Sequence, residues 1–243
     1  MISVLKKEFR SVWYSVLGIV VMGLFFLFSG IFFAVYNIGF AYPGAEAVIS
    51  LTAFPITVLV PLLGCTSYTD EYRKGTDSFV QTLPLSQKDI IFGKYLARAA
   101  ILGIPTLAMV LYPIILDCFG AVAYGRFFAS WFAFVLYQAF LLAFSMMIAI
   151  IAKKIWKSFL ITYGVLILTF LLPYVSVWLY DLLPMSVIDV MSAIFLFLSP
   201  YGQLDYFSTG IFDFRKIIWF VVFTSLSLFI SWCVQDKRRK ALR

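Results

Sequence analysis

The sequence predicts an all-α integral membrane protein. It reads as six transmembrane helices with an N-terminal amphipathic helix, a short amphipathic cytoplasmic helix and a short re-entrant helical segment before the last span. Three observations predict this. The 243 residues are 63% hydrophobic and 13% charged, with mean hydropathy +0.99, whereas soluble domains carry about 25% charged residues. Six apolar runs are each long enough to cross the hydrocarbon core, which takes about 20 residues at ~1.5 Å per residue. The basic residues fall mainly on alternate connections, as the positive-inside rule requires. The whole chain, 1–243, reads as a single transmembrane domain.

Taken in order, Met1 to Trp13 repeats Ile2, Leu5, Phe9 and Trp13 at helical spacing, with Lys6, Lys7, Glu8 and Arg10 between them. That pattern predicts an amphipathic helix lying on the cytoplasmic membrane surface. Residues 14–35 form the first span, uncleaved because its apolar run is long and no small-residue cleavage site follows. Tyr36 to Ala47, with Asn37, Pro43 and Gly44, reads as a turn-rich external loop. The second span, 48–68, contains Pro55, Pro61 and Gly64. A kink is expected there, either a hinge beside a moving pathway or a static bend.

The third span covers 95–118 and the fourth 127–152, where Gln138 is read as an interhelical hydrogen-bonding residue. After a basic turn at Lys153, Lys154 and Lys157 comes the fifth span, 158–179. Ser186 and Asp189 then repeat a capping-type start before an apolar run, Val187 to Leu198, too short to cross. Ser199-Pro200-Tyr201-Gly202 is expected to turn the chain. The sixth span is 217–234, and QDKRRKALR is read as a basic cytoplasmic tail. With both termini cytoplasmic, all but Arg126, Arg215 and Lys216 of the 19 basic residues fall on the cytoplasmic side.

The stretch from Thr69 to Lys94 reads as the longest water-facing segment. Thr76 can cap a short helix with its hydroxyl. Phe79, Val80 and Leu83 then share one face, Pro84 ends the helix, and Ser86 with Asp89 starts the next one. Glu71, Arg73, Gly75 and Asp77 complete the polar surroundings. An apolar face on a short helix in the cytosol predicts a protein partner, read here as an ATPase subunit; the same pattern also fits a helix folded back on the membrane surface.

Other chemistry is missing from the sequence. There is no histidine, and Cys65, Cys118 and Cys233 sit in or beside apolar runs, where packing is the expected role. No G-x-x-x-x-G-K-[ST] is present; Gly93-Lys94 is followed by Tyr95, so no phosphate-cradling loop forms. The span interiors hold almost no carboxylates of the kind that build proton relays. The net charge of +7 is read as membrane orientation, not nucleic-acid binding.

Nearly the whole chain resembles the ABC-2-type permeases of ATP-binding-cassette transporters, and within them the branch of gliding-motility and nitrous-oxide-reductase-maturation permeases. The start, LKKEFRSVW followed by FSGIFF, is similar to that branch's opening. Glu71, Gly75, Thr76, Leu83, Pro84, Ser86, Ile91, Gly93 and Lys94 fit E-x-x-x-G-T … L-P-x-S … I-x-G-K, and LSPYGQLDYFSTGIFDFR looks like the segment before the last span. Ser78 departs from the pattern, which has an acidic residue two positions after the Thr.

The resemblance implies that the 69–94 loop is a coupling helix docking on a separate ATPase (nucleotide-binding) subunit. It implies that the segment before the last span dips back into the outer leaflet, and that two permease subunits form the path. The expected function is therefore a permease subunit of an exporter in the cell membrane. It would bind no cofactor itself, with ATP and Mg on the partner ATPase. The competing readings are a non-transporting membrane scaffold or immunity protein and an intramembrane lipid-processing enzyme. The substrate and its contact residues are not readable from the sequence.

Overall fold

The computed structural model describes residues 2–42, 44–75, 86–118, 120, 122–178 and 185–241, and every regular element among them is helical. The order is α1 (Ile2–Trp13), α2 (Val16–Phe32), α3 (Glu46–Lys74), α4 (Gln87–Ala108), α5 (Leu111–Asp117), α6 (Tyr124–Ala152), α7 (Ile155–Trp178), α8 (Met185–Leu198), α9 (Pro200–Asp205) and α10 (Phe214–Ala241). Six stretches are long and apolar enough to cross a membrane, and they coincide with the six expected spans, although their ends differ.

The differences have local causes. The first span does not stop at 35: α2 passes into a π-helical segment, Phe33–Gly39, so Asn37 belongs to the helix and not to an external loop. Its amide then turns back, donating to the carbonyls of Tyr42 and Gly44 at 2.8 and 3.2 Å and holding the loop closed. α3 runs unbroken through Pro55 and Pro61 and continues six residues past the expected end at 68. The third span begins at Gln87, eight residues early, and turns at Met109–Val110 before α5. Pro113 lies in the first turn of α5, where its missing N–H costs little.

Later in the chain, Ser186 stands inside α8 instead of capping it. Ser199 is the true cap there: it adopts an extended backbone, its hydroxyl accepts from the Gly202 N–H at 3.2 Å, and Pro200 opens α9. The expected turn at Ser199–Gly202 is thus the start of a short helix. The basic tail is not a loose end either, because α10 stays helical to Ala241.

The helices α3 and α6 form the centre and the others pack around them. In lipid, apolar side chains gain nothing by leaving hydrocarbon for a protein interior, so close packing and hydrogen bonds must hold the bundle. The residues match that requirement. Ala129, Ala133, Ala143 and Ala149 of α6 are completely buried, which lets neighbouring backbones approach. Gly64 of α3 lies directly against Ser145 of α6. Polar groups cross between helices: Thr57 with the Tyr137 hydroxyl, Thr106 Oγ1 donating to Gln138 Oε1 at 3.0 Å, and the Trp131 indole donating to the Thr106 carbonyl at 2.8 Å. The interhelical role expected of Gln138 is therefore observed. Outward faces such as Ile19, Phe26, Leu27 and Ile31 of α2 and Leu160 and Leu168 of α7 remain apolar and exposed, as contact with lipid requires.

The first helix and the C-terminal turns of the last lie at one end of this bundle, because α1 pairs with α4 beside the C-terminal turns of α3, and the C-terminal turns of α10 reach the same turns. At the opposite end Arg126 of α6 pairs with Glu46 of α3 at 3.5 Å, and its side chain packs on Gly210.

Candidate functional site

Of the residues singled out from the sequence, Glu71, Arg73 and Gly75 are described; Thr76, Asp77, Phe79, Val80, Leu83 and Pro84 lie outside the described residues. Gly75 ends α3. Its φ of 68° is left-handed, and its N–H bonds back to the last turn of the helix. A residue with a Cβ would be strained there, which explains the glycine of the E-x-x-x-G-T pattern. Arg73 pairs with Asp70 at 3.7 Å on an exposed surface, and exposed pairs contribute little. Ser86 has the extended backbone of a cap for α4, but its side chain makes no capping bond.

The expected water-facing stretch is shorter than Thr69–Lys94. Its first residues are the last turns of α3, with Thr69 buried, and its last residues are the first turns of α4, with Gln87 and Lys94 buried. Lys94 is only 1% exposed. Its ammonium pairs with Glu71 Oε1 at 2.5 Å, donates to the Ser67 carbonyl at 3.2 Å and stands over the Tyr68 ring, 4.2 Å from the centroid. One turn on, Arg98 is buried as well. Its Nε donates to the Leu63 carbonyl and its Nη1 to the Lys94 carbonyl, both at 3.2 Å, and Nη1 meets Glu8 Oε2 of α1 at 3.5 Å.

The reason two cations can be buried is stoichiometric. Glu8 and Glu71 balance Lys94 and Arg98, so the cluster carries no formal net charge, and the carbonyls of Ser67, Leu63 and Lys94 accept further bonds from the two cations. Removing any one member would leave an unpaired charge in a low-dielectric site. Glycine again permits the approach: a Cβ on Gly93 would stand 2.9 Å from Val4 of α1.

Two contacts extend the cluster to the last helix. Arg238 of α10 donates to the Tyr72 hydroxyl and lies over its ring, and the Lys88 ammonium sits 4.7 Å from the centre of the Trp232 ring. Both bases of the 75–86 connection are therefore tied to one another by Glu71–Lys94, to the first helix through Glu8–Arg98, and to the last helix through Tyr72 and Lys88.

The sequence reading treated Lys94 and Arg98 as cytoplasmic flank charges and α1 as a helix on the membrane surface. The structure adds what the charge count does not show: α1 packs along α4, and the two cations are internal. A signal for them does exist. Gln87, Ile90, Ile91, Lys94, Arg98, Ile101, Leu102 and Pro105 are all buried and follow the 3–4 spacing of one helix face. Both cations thus stand on the stripe that packs inward.

No metal-holding group of His, Cys, Asp or Glu residues occurs among the described residues. The architecture of six apolar spans, with α3 and α6 at the centre and charges buried at one end, is that of a multi-pass membrane protein. A family model described as ABC-2 family transporter protein matches residues 2–226. No curated protein matches the chain. The family match reaches from α1 into α10, taking in the first five apolar spans and the first half of the sixth, and the chain belongs to the ABC-2 family of transporter proteins as a multi-pass membrane permease.

Proposed function

We propose that this permease is one half of an ATP-driven exporter, working with a second permease and a separate ATPase that carries ATP and Mg. The observation that supports this reading is the buried charge cluster at the base of the 75–86 connection. A loop that only joined two spans would need no such anchorage, since long surface loops are tolerated at small cost. In this reading the face formed by Phe79, Val80 and Leu83 docks on the ATPase, with Glu71, Arg73 and Asp77 around it. Glu71–Lys94 and Glu8–Arg98 then carry the displacement into α3, α4 and α1.

The end of the bundle that holds α1 and the C-terminal turns of α10 faces the cytoplasm in this reading, and the membrane is the cell membrane. The charge distribution supports that orientation, since only Arg126, Arg215 and Lys216 belong to the other end. The motif order in the connection and before the last span supports placement in the gliding-motility and nitrous-oxide-reductase-maturation branch. The whole chain would act as a single domain, with α8 as the re-entrant segment.

The decisive experiment is Phe79→Asp. Insertion and abundance should stay near wild type, while the ATPase no longer co-purifies and ATP-dependent transport is lost. Wild-type co-purification and transport in this variant would exclude the loop as the coupling element and favour a non-transporting scaffold. Orientation is checked separately with single cysteines in a cysteine-free background. Cysteines at Gly44 and Tyr206 should react with an impermeant thiol reagent from outside, and those at Gln81 and Gln235 only after permeabilisation. Labelling at Gln81 from outside would reverse the orientation.

A further inference from the structure

Two spans that flank the central helix leave a gap between them. α7 and α10 both pack on α6, but they make little direct contact with one another. The gap is a cleft of about 280 Å³. Phe140 and Phe144 of α6 form its floor, Val165 and Leu166 of α7 one wall, and Phe223 and Leu226 of α10 the other. Along α10 the lining extends from Trp219 to Ile230, a rise of about 16 Å at ~1.5 Å per residue.

The lining is almost wholly apolar; the Trp219 indole N–H, buried at one end, is its one donor without a hydrogen-bond partner among the described residues. Its two hydroxyls are already used within their own helices, Thr169 donating to the Leu166 carbonyl at 3.0 Å and Ser227 to the Phe223 carbonyl at 2.8 Å. A sugar, peptide or ion entering it would lose many hydrogen bonds to water and find at most the Trp219 N–H as a replacement. A whole helix, about 10 Å across, is wider than a gap of this size along the same length accommodates. Long and narrow, the cleft matches one hydrocarbon chain. Leu226 and Val165 on its walls are exposed, so it opens sideways to the surrounding lipid.

One end of the cleft is basic and aromatic. Lys216 stands one turn before Trp219 on the same helix face. Its ammonium donates to Gln203 Oε1 at 3.0 Å and lies 4.2 Å from the centre of the Tyr206 ring. Arg215 is beside it and exposed, and Asp213, which accepts from the Arg215 backbone N–H at 2.9 Å, and exposed Asp205 are the nearby acids. Lys, Trp and Tyr together at the end of a span mark the level of lipid head groups. Basic pockets between spans at that level suit lipid phosphates.

We propose that the cleft between α7 and α10 seats one acyl chain of a bilayer phospholipid, with the lipid phosphate held at Lys216 and Arg215. The chain fills the space between the two spans, so α7 is held to α10 by lipid and not by side chains.

The test uses the full chain, with any co-purifying ATPase, in phosphatidylcholine nanodiscs. The probe is phosphatidylglycerol with a photoreactive diazirine midway along one acyl chain. After irradiation and peptide mapping, labels should concentrate on the α7 and α10 residues that line the cleft. They should exceed those on the outward face of α2 at Phe26 and Leu27 at least tenfold. Val165→Trp and, independently, Leu226→Trp fill the cleft from opposite walls through exposed positions. Each should remove most of the cleft labelling while keeping monodisperse elution and α2 labelling. Lys216→Gln should lower competition by phosphatidylglycerol about threefold relative to uncharged diacylglycerol. Cleft labelling no stronger than at α2, or unchanged in both Trp variants, would overturn the proposal. So would efficient crosslinking between two copies through Val165→Cys and Leu226→Cys, because a second permease would then occupy the cleft.

Discussion

Glu71→Gln should be among the most damaging single substitutions in the chain. It leaves the Lys94 ammonium, 1% exposed, with the Ser67 carbonyl and the Tyr68 ring but no counter-charge. Breaking a buried pair by removing one partner costs about 3–5 kcal/mol. The variant should lose most of its monodisperse fraction in detergent and aggregate at a much lower temperature. Adding Lys94→Met should recover most of that loss, because Met fills similar space without a charge and a buried pair is often replaceable by apolar groups. A double variant as unstable as Glu71→Gln alone would show that the pair is not what the substitution disturbed. The rescued double variant also separates structure from coupling. If Glu71–Lys94 transmits movement from the ATPase, the rescued protein should bind the ATPase and fail to transport. If transport returns together with stability, the pair is structural only.

Gly64→Leu should prevent the central pair from assembling. A Cβ at Gly64 would lie 1.8 Å from Ser145 Oγ, 2.7 Å from its Cβ and 3.2 Å from the Leu142 carbonyl. Ser145 is fully buried and donates to that same carbonyl at 2.9 Å, so it has no free direction in which to move. Overpacking typically costs ~1–3 kcal/mol, and here the obstruction includes backbone of the partner helix. Folded yield should fall nearly to zero. The milder Gly64→Ala should also be unstable, and Ser145→Gly should compensate for it by vacating the space its methyl needs. Normal folding of Gly64→Leu would mean that α3 and α6 do not cross closely at this point.

Much of the fold was legible because lipid imposes a local rule. Every span must satisfy its own backbone hydrogen bonds, so each appears as a run of apolar residues of sufficient length. The apolar length of Val187 to Leu198 likewise marked a helix too short to cross. The span ends were less legible, because hydropathy falls where side chains become polar while helices continue. Thr69 to Lys74 and Gln87 to Lys94 are polar and helical; Ser86 and Asp89 mark a helix start for the second, but hydropathy alone places both outside the spans. Asn37 was read as a turn residue because its amide favours turns; in the structure it closes one from within a helix.

The candidate site divides along the same line. Gly75 was visible from its place in a motif, and its left-handed φ shows why that residue is needed. The apolar positions after it belong to the sequence reading alone. Lys94 and Arg98 were visible only as charges, and counting charges assigns a side of the membrane, not a partner. The sequence by itself determined the class of the protein, the number of its spans and the alternation of its charges, since these depend on residues close together in the chain. Only the tertiary structure decided that Glu8 meets Arg98 ninety residues away, that Tyr72 meets Arg238, and that Gly64 lies against Ser145. Those pairings depend on which helix faces touch. In a membrane nearly every face is apolar, so hydropathy does not distinguish a face that meets lipid from one that meets another helix.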